Sequence, residues 1–494
     1  MSLTVGFALA LAVGFVLVHP LTASPVGYDT AGSVLYFERL VRGQILEQPY
    51  GATPKPAMTL IDGLLYSIRG WTAISLAAVA VYATVATLGA ELARRVAGST
   101  AGVFAFVALL GSRPLLLDAS RAYAVGWASL WLILAGFALR AERSRYIVIG
   151  IALAMAALTR LECIVAVIGA VGAVAAWHWL GPRFGLRPAP RSAWFVALGL
   201  LAIPIMLVHD WLLIRNPFYW ASVSANYSET YATSVLSPAA LGNWLALHYL
   251  DLSVLVVLAC LGILVLVQRR SLAIAIGLLL LGPGIGAFLI LLAAHGTYVS
   301  ARYVYLIDLA VTFGAALGFS VVRAAGVPGR IGQRRQLMTA LAWICAAAVG
   351  AGAGGPFGPL DSATRGEVFD QQTVSANVHA VEPVLRRELQ ADHAAAVTPE
   401  ILAPGLWTGL LIVDLGLQIP AVGAPRFTAD GTAYDSSQLH GGELIYHDRT
   451  GDPANAADAA LEAGGPVRMG AFTLVPIDSD ATAGWWIYRV EGLS

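Results

Sequence analysis

The stretch WTAISLAAVAVYATVATLGAE, residues 71–91, holds a single charged side chain, Glu91, among its 21 residues. About 20 mostly apolar residues, rising 1.5 Å each in a helix, cross the roughly 30 Å hydrocarbon core of a bilayer. Ten further stretches have the same character: 2–19, 99–117, 123–139, 146–160, 163–180, 193–213, 247–267, 271–294, 303–322 and 337–354. The sequence therefore predicts a polytopic α-helical membrane protein with about 11 transmembrane helices, the first of them an anchor rather than a cleaved signal peptide.

The composition supports this class and excludes others. Of the 494 residues, 58% are hydrophobic and 12% are charged, against roughly 25% charged residues in soluble globular proteins. The 30 basic and 30 acidic residues leave no basic excess to neutralise phosphates, so no nucleic acid is expected as a partner. Arginine supplies 29 of the basic residues, and Lys55 is the only lysine. With abundant alanine and glycine, this ratio suggests a GC-rich bacterial genome.

The charge is divided unevenly along the chain. Residues 1–354 carry a net charge of +11 and residues 355–494 a net charge of −11, with a Gly- and Pro-rich segment at the boundary. We therefore predict a transmembrane domain over 1–354 and a small C-terminal α/β domain over 355–494. The elements expected in the second domain are a helix near 366–391 and strands at 394–398, 409–414, 472–476 and 485–490.

Arginines mark every second connection between the predicted spans. The arginine-bearing connections include Arg94 and Arg95, Arg183 to Arg191, and Arg269 and Arg270. Because Lys and Arg are retained on the cytoplasmic side, we expect a cytoplasmic N-terminus in a bacterial plasma membrane and an extracytoplasmic C-terminal domain. Ten of the twelve acidic residues before residue 355 lie in outer loops or outer parts of helices. Carboxylates in or beside a membrane are candidates for function, so we expect the chemistry at the outer face.

The predicted outer loop 20–56 carries the most informative acid. Asp29 follows the first span in the run Pro25-Val26-Gly27-Tyr28-Asp29-Thr30. An amphipathic helix is expected from there to about Leu46, lying in the membrane interface, and a second short helix over 57–69. Asp29 is placed to act as a base at the membrane surface, or it caps the helix that it begins, since Asp is a preferred N-cap residue.

Several motifs, in their order, resemble the GT-C superfamily of polytopic glycosyltransferases, which take a sugar from a polyprenyl-phosphate donor. The resemblance covers most of residues 1–320, and bacterial mannosyl- and arabinofuranosyltransferases are among the similar enzymes. Its elements are Asp29 in the first outer loop, Lys55-Pro56 before the second span, Leu158-Thr159-Arg160-Leu161-Glu162, Arg215-Asn216-Pro217-Phe218-Tyr219, and Ala301-Arg302-Tyr303.

The resemblance implies that Asp29 is the catalytic base and that the transfer inverts the configuration at the anomeric carbon. A positioned carboxylate can take the proton of an attacking acceptor hydroxyl. The lipid phosphate leaves as an anion, so cations are needed to bind it. The outer face offers four candidates: Lys55, Arg302, Arg160 and Arg215.

The sequence does not decide whether a metal ion is needed, because it departs from the family pattern at one residue. Many relatives have a second acid directly after this Asp, whereas this chain has Thr30. Asp118, in the next outer loop, is the candidate second carboxylate or metal ligand, and it could instead pair with Arg113 or Arg121. A divalent cation, Mg²⁺ or Mn²⁺, is therefore an open expectation.

Each of the other candidate residues at the predicted outer face has two interpretations. Candidates for substrate contact are Tyr28, His295, Tyr298, Tyr303, Tyr219 and Trp220, although aromatic residues are also common at any membrane interface. Arg160 could pair with Glu162, and Arg215 could extend along the end of its helix. Asp308 is expected to pair with a buried Arg or polar group.

The function expected from this resemblance is a hexosyl- or pentosyltransferase, of EC 2.4 type. The donor would be a polyprenyl-phosphate sugar and the acceptor an envelope glycan or glycolipid at the outer face. Two alternatives remain at this stage: a transporter or flippase for a lipid-linked sugar, and a catalytically inactive relative that serves as a scaffold.

Overall fold

The computed structural model describes residues 2–46, 50, 52–139, 145–184, 187–230, 236–268, 271–297, 299, 301–324, 362–394, 401–403, 408–423, 439–449 and 460–492. Most of these residues are helical. The predicted span 337–354, the predicted domain boundary at 354, most of the predicted strand 394–398 and Tyr298 lie outside the described residues.

The described residues before the gap at 325–361 form fifteen helices. They are α1 (Leu3–Val18), α2 (Tyr28–Val41), α3 (Pro56–Ala97), α4 (Ser99–Leu110), α5 (Arg113–Arg121), α6 (Val125–Ala138), α7 (Arg145–Thr159), α8 (Ile164–Leu180), α9 (Ala202–Ile214), α10 (Tyr219–Thr230), α11 (Pro238–Asp251), α12 (Ser253–Gln268), α13 (Leu272–Leu279), α14 (Ile285–Ala294) and α15 (Tyr305–Ala324). Short 3₁₀ segments begin some of these runs: Leu161–Cys163 precedes α8, Arg191–Leu201 precedes α9 and Ala301–Val304 precedes α15.

Several of these helices are long and apolar enough to cross a membrane. Five runs in the described part of the chain qualify by length and composition: Pro56–Ala97, Leu161–Arg183, Arg191–Ile214, Leu272–Ala294 and Arg302–Ser320. Four shorter apolar helices, α1, α4, α6 and α7, lie beside them in the sequence. The expected count of about 11 spans is not reached by this measure and stays a prediction.

Helix α3 contains the break expected between a short helix over 57–69 and the span over 71–91. Arg69 and Gly70 have non-helical backbone angles, and Gly70 has a φ of 57°. Positive φ is readily adopted by glycine because it has no Cβ. The chain therefore changes direction just before the long apolar half of α3.

The predicted span 99–117 is wrong in its second half. Helix α4 ends at Leu110, and α5 begins at Arg113 with Pro114 in its first turn. Proline has no N–H to continue a preceding helix, but it fits the first turn of a new one. The stretch 113–122, predicted as an outer loop, is consequently a short helix.

The predicted span 247–267 is not a single straight helix. Helices α11 and α12 meet at Leu252 with an angle of 87° between them. The Ser237 side chain caps α11, and Pro238 begins it nine residues before the predicted start. Beyond the bend, α12 packs closely on α15, where a Cβ on Gly318 would lie 1.8 Å from the Leu258 carbonyl oxygen. The first outer helix is shorter than expected too, since α2 ends at Val41 instead of near Leu46.

After the gap, the chain forms two helices and a six-stranded sheet. The helices are α16 (Ser362–Ala394) and α17 (Thr408–Leu415), and the strands are β1 (Ile401–Leu402), β2 (Val422–Gly423), β3 (Leu444–Asp448), β4 (Val467–Met469), β5 (Phe472–Asp480) and β6 (Trp485–Gly492). The sheet order is β2-β1-β3-β6-β5-β4, with β1 parallel to β2 and β3 and the other pairs antiparallel.

Three of the expected C-terminal elements are confirmed and one is wrong. The helix near 366–391 and the strands 472–476 and 485–490 fall within α16, β5 and β6. The predicted strand 409–414 is part of helix α17, most of which is buried. A short apolar run buried on every side does not distinguish a strand from a helix by its pattern.

The C-terminal elements share a hydrophobic core with the first outer helix. Ala31, Val34 and Leu35 of α2 belong to one buried cluster with Leu410 of α17 and Val378 of α16. Hydrogen bonds cross the same contact: the Gln371 side chain donates to the Val26 carbonyl oxygen at 2.9 Å. The start of α2, which carries Asp29, is therefore held by contacts with the C-terminal elements.

Candidate active site

Two cations converge on one oxygen of Asp29. The Lys55 ammonium lies 2.9 Å from Asp29 Oδ2, and a guanidinium nitrogen of Arg302 lies 3.2 Å from the same atom. The side chains of Asp29 and Lys55 are each 15% exposed. We name these three residues the Asp29 cluster; they come from three separate parts of the chain.

Helix starts place all three residues. Gly27 is the N-cap residue of α2, and its N–H donates to the Arg121 carbonyl oxygen at 2.7 Å. Asp29 sits in the first turn, Lys55 is the N-cap residue of α3, and Arg302 lies in the 3₁₀ turn before α15. The reading of Asp29 as the cap of its own helix is wrong, because Gly27 holds that position.

The charges of the cluster set its protonation. Burial raises the pKa of Asp29, but Arg302, Lys55 and Arg160 together outweigh burial and hold it well below its usual value. Burial lowers the pKa of Lys55, and Arg302 and Arg160 add to this, while Asp29 opposes it. Asp29 is therefore a carboxylate at neutral pH, and Lys55 is an ammonium whose charge depends on its anionic neighbours.

Aromatic rings and a second ion pair surround the cluster. The Arg302 guanidinium lies over the Tyr123 ring at 5.4 Å, and the Arg160 guanidinium over the Tyr303 ring at 5.7 Å. Arg160 donates from Nε to Glu162 Oε1 at 2.6 Å, so the expected pairing of these two residues is confirmed. Both side chains are almost fully buried.

Asp118 binds backbone groups rather than a cation. Its two carboxylate oxygens accept from the N–H groups of Val125 at 2.8 Å and Gly126 at 2.7 Å, at the start of α6. The alternative pairing with Arg113 or Arg121 is wrong, because both arginines pair with Glu367 of α16. Burial raises the pKa of Asp118 to about 6, although the two backbone hydrogen bonds oppose the shift.

Thr30 fastens α2 to the end of α5. Its hydroxyl donates to the Ala122 carbonyl oxygen at 2.8 Å and lies 3.2 Å from that of Arg121. A carboxylate at this position would face two carbonyl oxygens and could not donate to either. The departure from the family pattern at residue 30 thus has a local structural reason.

The remaining predicted site residues lie elsewhere. Arg215 ends α9 with its guanidinium 4.3 Å from the Trp211 ring centre. Tyr219 is buried, and its hydroxyl binds both the N–H and the carbonyl oxygen of Tyr50. His295 is exposed at the end of α14.

Tyr28 and Trp220, two further candidates, each contact a specific residue. The Tyr28 ring stacks on that of Tyr50 with 5.0 Å between centres. The Trp220 N–H donates to Asp210 Oδ2 at 2.9 Å. The buried Asp308 accepts from His248 and Tyr249, so the expected polar partner is confirmed.

Sequence reasoning missed three residues that support the site. Tyr123 lies under Arg302, Glu367 holds the two arginines of α5, and Asp62 of α3 lies near Lys55, whose charge acts on it. Asp62 is 1% exposed, and its Oδ2 has no hydrogen-bond partner among the described residues. An acid inside an apolar run was the available signal for Asp62. Tyr123 and Glu367 offered none, because their importance depends on long-range packing.

A large apolar cavity lies between the helices. Its volume is about 800 Å³, and the residues that line it belong to α3, α4, α6, α7, α8, α13, α15 and the turns that join them. Two of the lining residues are Ala166, about one helical turn beyond Glu162, and Leu306, about one turn beyond Arg302. Arg145, the first residue of α7, also lines the cavity. The Asp29 cluster does not contribute to this lining, so the cavity extends away from the charged residues.

Comparison with solved structures identifies the fold. The chain is similar to the apo oligosaccharyltransferase of Archaeoglobus fulgidus, with 13% identity, a TM-score of 0.53, and coverage of 90% of this chain and 69% of that chain. A structure of ArnT from Cupriavidus metallidurans bound to undecaprenyl phosphate matches over 98% of this chain and 97% of that chain, with 15% identity and a TM-score of 0.46. No protein-family model and no curated protein sequence matches the chain.

The fold is thus similar to that of the Archaeoglobus fulgidus oligosaccharyltransferase. At this level of identity the likeness establishes architecture, and the activity has to be argued from the site.

Proposed function

We propose that the protein is a membrane glycosyltransferase that moves a sugar from a polyprenyl-phosphate donor to a glycan or lipid acceptor of the cell envelope. The observation that supports this proposal is that Lys55 and Arg302 both contact Asp29, at one end of an apolar helical bundle. A carboxylate beside two cations provides a base and an anion site within hydrogen-bond distance of each other, as transfer from a phosphate donor requires.

In the proposed reaction, the donor phosphate binds to Lys55 and Arg302 and draws them away from Asp29. The freed carboxylate then accepts the proton of the acceptor hydroxyl while its oxygen attacks the anomeric carbon. The bond between that carbon and the phosphate oxygen breaks, and its electron pair leaves with the lipid phosphate. Attack opposite to the leaving group inverts the anomeric configuration. Arg160 adds positive charge to this region from its pair with Glu162.

The apolar cavity suits the chain of a lipid donor. Its volume of about 800 Å³ lies within the usual range for ligand sites, and its lining is almost entirely apolar. We propose that part of the polyprenyl chain enters it beside Leu306, one turn along α15 from Arg302.

The proposal includes a topology. The protein would cross a bacterial plasma membrane about 11 times, counting the predicted span 337–354, with its N-terminus in the cytoplasm. The Asp29 cluster and the C-terminal α/β domain would then face outward, as the arginine distribution predicts.

The test is transfer by the purified protein in proteoliposomes, with a panel of radiolabelled polyprenyl-phosphate sugars and envelope lipid extracts as acceptors. We expect one donor to be consumed by the wild type and its consumption to fall at least a hundredfold in Asp29→Asn, since general bases contribute about 10²–10⁴-fold. Glu91→Gln is the matched control, because Glu91 also binds two cations but lies outside the cluster. The proposal would be contradicted if no donor is consumed, or if Asp29→Asn and the wild type have equal rates.

The same preparation tests the transporter alternative. A flippase would move labelled donor across the proteoliposome membrane without releasing lipid phosphate, whereas a transferase releases it in proportion to product. Movement of the donor without release, lost in Asp29→Asn, would favour the transporter.

A further inference from the structure

We propose that the Lys55 ammonium occupies the position where a divalent cation would act, so that this site transfers sugar without a metal ion. The inference rests on the proposed function. It concerns the cofactor of that same site, which the sequence left open between a metal ion and none.

The carboxylates around the site are already engaged. Asp29 Oδ2 contacts Lys55 at 2.9 Å and Arg302 at 3.2 Å. Both oxygens of Asp118 accept backbone N–H groups, of Val125 and Gly126. A divalent cation binds through carboxylate oxygens, so binding at Asp29 Oδ2 would have to displace two positive charges, and binding at Asp118 would compete with its two backbone hydrogen bonds.

Residue 30, where many relatives place a second acid, is turned away as well. The Thr30 hydroxyl donates to the Ala122 carbonyl oxygen and lies close to that of Arg121. That hydrogen bond joins α2 to the end of α5 and directs the hydroxyl away from the Asp29 carboxylate. Among the residues that the structure describes, no three His, Cys, Asp or Glu side chains are grouped closely enough to hold a metal ion.

Lys55 contacts the carboxylate of Asp29, as a bound cation would. It hydrogen-bonds Asp29, and its charge acts on Asp62 and Asp118 too. Lys55 and Asp62 are seven residues apart at the start of α3, which places them on one face of that helix. The Asp62 Oδ2 atom is buried and has no hydrogen-bond partner among the described residues. One carboxylate next to an ammonium does not make a site for a divalent cation.

The charge balance of the reaction can be met by these side chains. As the bond from the anomeric carbon to the phosphate breaks, the phosphate gains one negative charge and Asp29 becomes neutral by taking the proton. Lys55 and Arg302, which already bind the phosphate, then balance its added negative charge. A divalent cation would supply the same charge, but it would compete with both side chains for the same oxygens.

Metal dependence separates the two cases. With the proteoliposome assay, the wild-type rate should change less than twofold between excess EDTA and added Mg²⁺ or Mn²⁺. Lys55→Ala removes the ammonium and opens space between the carboxylates, so it should lose at least a hundredfold in EDTA and regain at least tenfold with Mn²⁺. Arg69→Ala, which removes an exposed cation from the same helix, should behave as the wild type does. Lys55→Arg should be slower but still independent of metal.

Binding of Mn²⁺ alone gives a readout without turnover. Electron paramagnetic resonance titration should show no tight Mn²⁺ site in the wild type and one site in Lys55→Ala that is lost in Lys55→Ala combined with Asp62→Asn. Because Lys55 is the only lysine, labelling with an amine reagent and peptide mass spectrometry should also show that the donor protects this side chain.

The outcomes distinguish this inference from the proposed function. If EDTA abolishes wild-type transfer and Mg²⁺ restores it, the inference is wrong and the proposed function stands. If Lys55→Ala neither binds Mn²⁺ nor responds to it, Lys55 does not occupy a cation position, and the inference is again wrong. If no donor is consumed under any condition, the proposed function fails, and the Mn²⁺ titrations alone decide about the cation position.

Discussion

Among the clusters of one acid and two cations in the described residues, those around Glu91 and Asp29 are built in different ways. Glu91 pairs with Arg94 and Arg95, three and four residues further along the same helix, and both arginine side chains are 52% exposed. Asp29 pairs with Lys55 and Arg302, which start two other helical runs, and the Lys55 side chain is 15% exposed. The charges match, but only the second cluster requires the tertiary fold.

The difference shows which ion pairs indicate function. Pairs at spacings of three and four form on any helix surface and stabilise it by a few tenths of a kcal/mol. A buried carboxylate with two cations from distant elements has a desolvation cost that such pairs avoid. The Asp29 cluster is therefore weak evidence for stabilisation, and we expect variants of the two clusters to behave differently.

The largest difference is expected for the arginines. Arg302→Met should lower kcat/KM for the donor about a hundredfold, because removal of one preorganised group that binds the developing negative charge costs about 10²–10³-fold. Arg94→Met, a change of the same size and charge in the other cluster, should leave it within twofold. Initial rates in proteoliposomes measure both. Equal effects in the two variants would mean that the clusters do not differ in function.

A smaller loss is expected when the support of Asp29 is weakened. Thr30→Val keeps the shape but removes the hydrogen bond to the Ala122 carbonyl oxygen, leaving a buried acceptor unpaired. We expect about tenfold lower kcat with unchanged KM for the donor, since Lys55 and Arg302 stay in place. Thr87→Val is the control, because the Thr87 hydroxyl bonds only within its own helix, to Ala83. A change in KM alone would show that Thr30 acts on the donor site instead.

The sequence predicted the residues of the Asp29 cluster better than it predicted the residues around them. Asp29, Lys55 and Arg302 were found because each is a charged residue beside an apolar run, at the end of the bundle that lacks the arginine-rich loops. Their contact follows once the helix starts meet at one end. Arg215 fits the same pattern, but α9 ends away from the cluster, with Arg215 over Trp211.

Features that depend on helix direction could not be predicted. No Gly or Pro lies within nine residues of the bend at Leu252, so the local composition is that of a straight span. The pairing of Glu367 with Arg113 and Arg121 depends on how α16 lies on α5, and no local signal records it. Hydropathy reports which residues are apolar, but packing decides where a helix turns.

The cavity predicts an effect of moderate size on the lipid part of the donor. Ala170→Trp would fill part of the space that Ala170 lines, so KM should rise about fivefold for donors with long chains, equivalent to losing about 1 kcal/mol of apolar burial. Donors with a short prenyl chain should be unaffected. Ile168→Trp, on the exposed face of the same helix, is the control. A rise in KM for both chain lengths would place the chain elsewhere.

The smallest effect concerns stability, and it contrasts Asp118 with Glu91. Burial raises the pKa of Asp118 from 3.8 to about 6, so between these values the folded protein binds more protons than the unfolded chain, and stability falls as the pH rises. Raising the pH from about 5 to about 6 should lower the free energy of unfolding by about 1 kcal/mol through this group. Thermal unfolding in detergent should show this slope in the wild type and in Glu91→Gln, and a flatter one in Asp118→Asn. An equal slope in all three proteins would mean that the N–H groups of Val125 and Gly126 compensate fully for the burial of the Asp118 carboxylate.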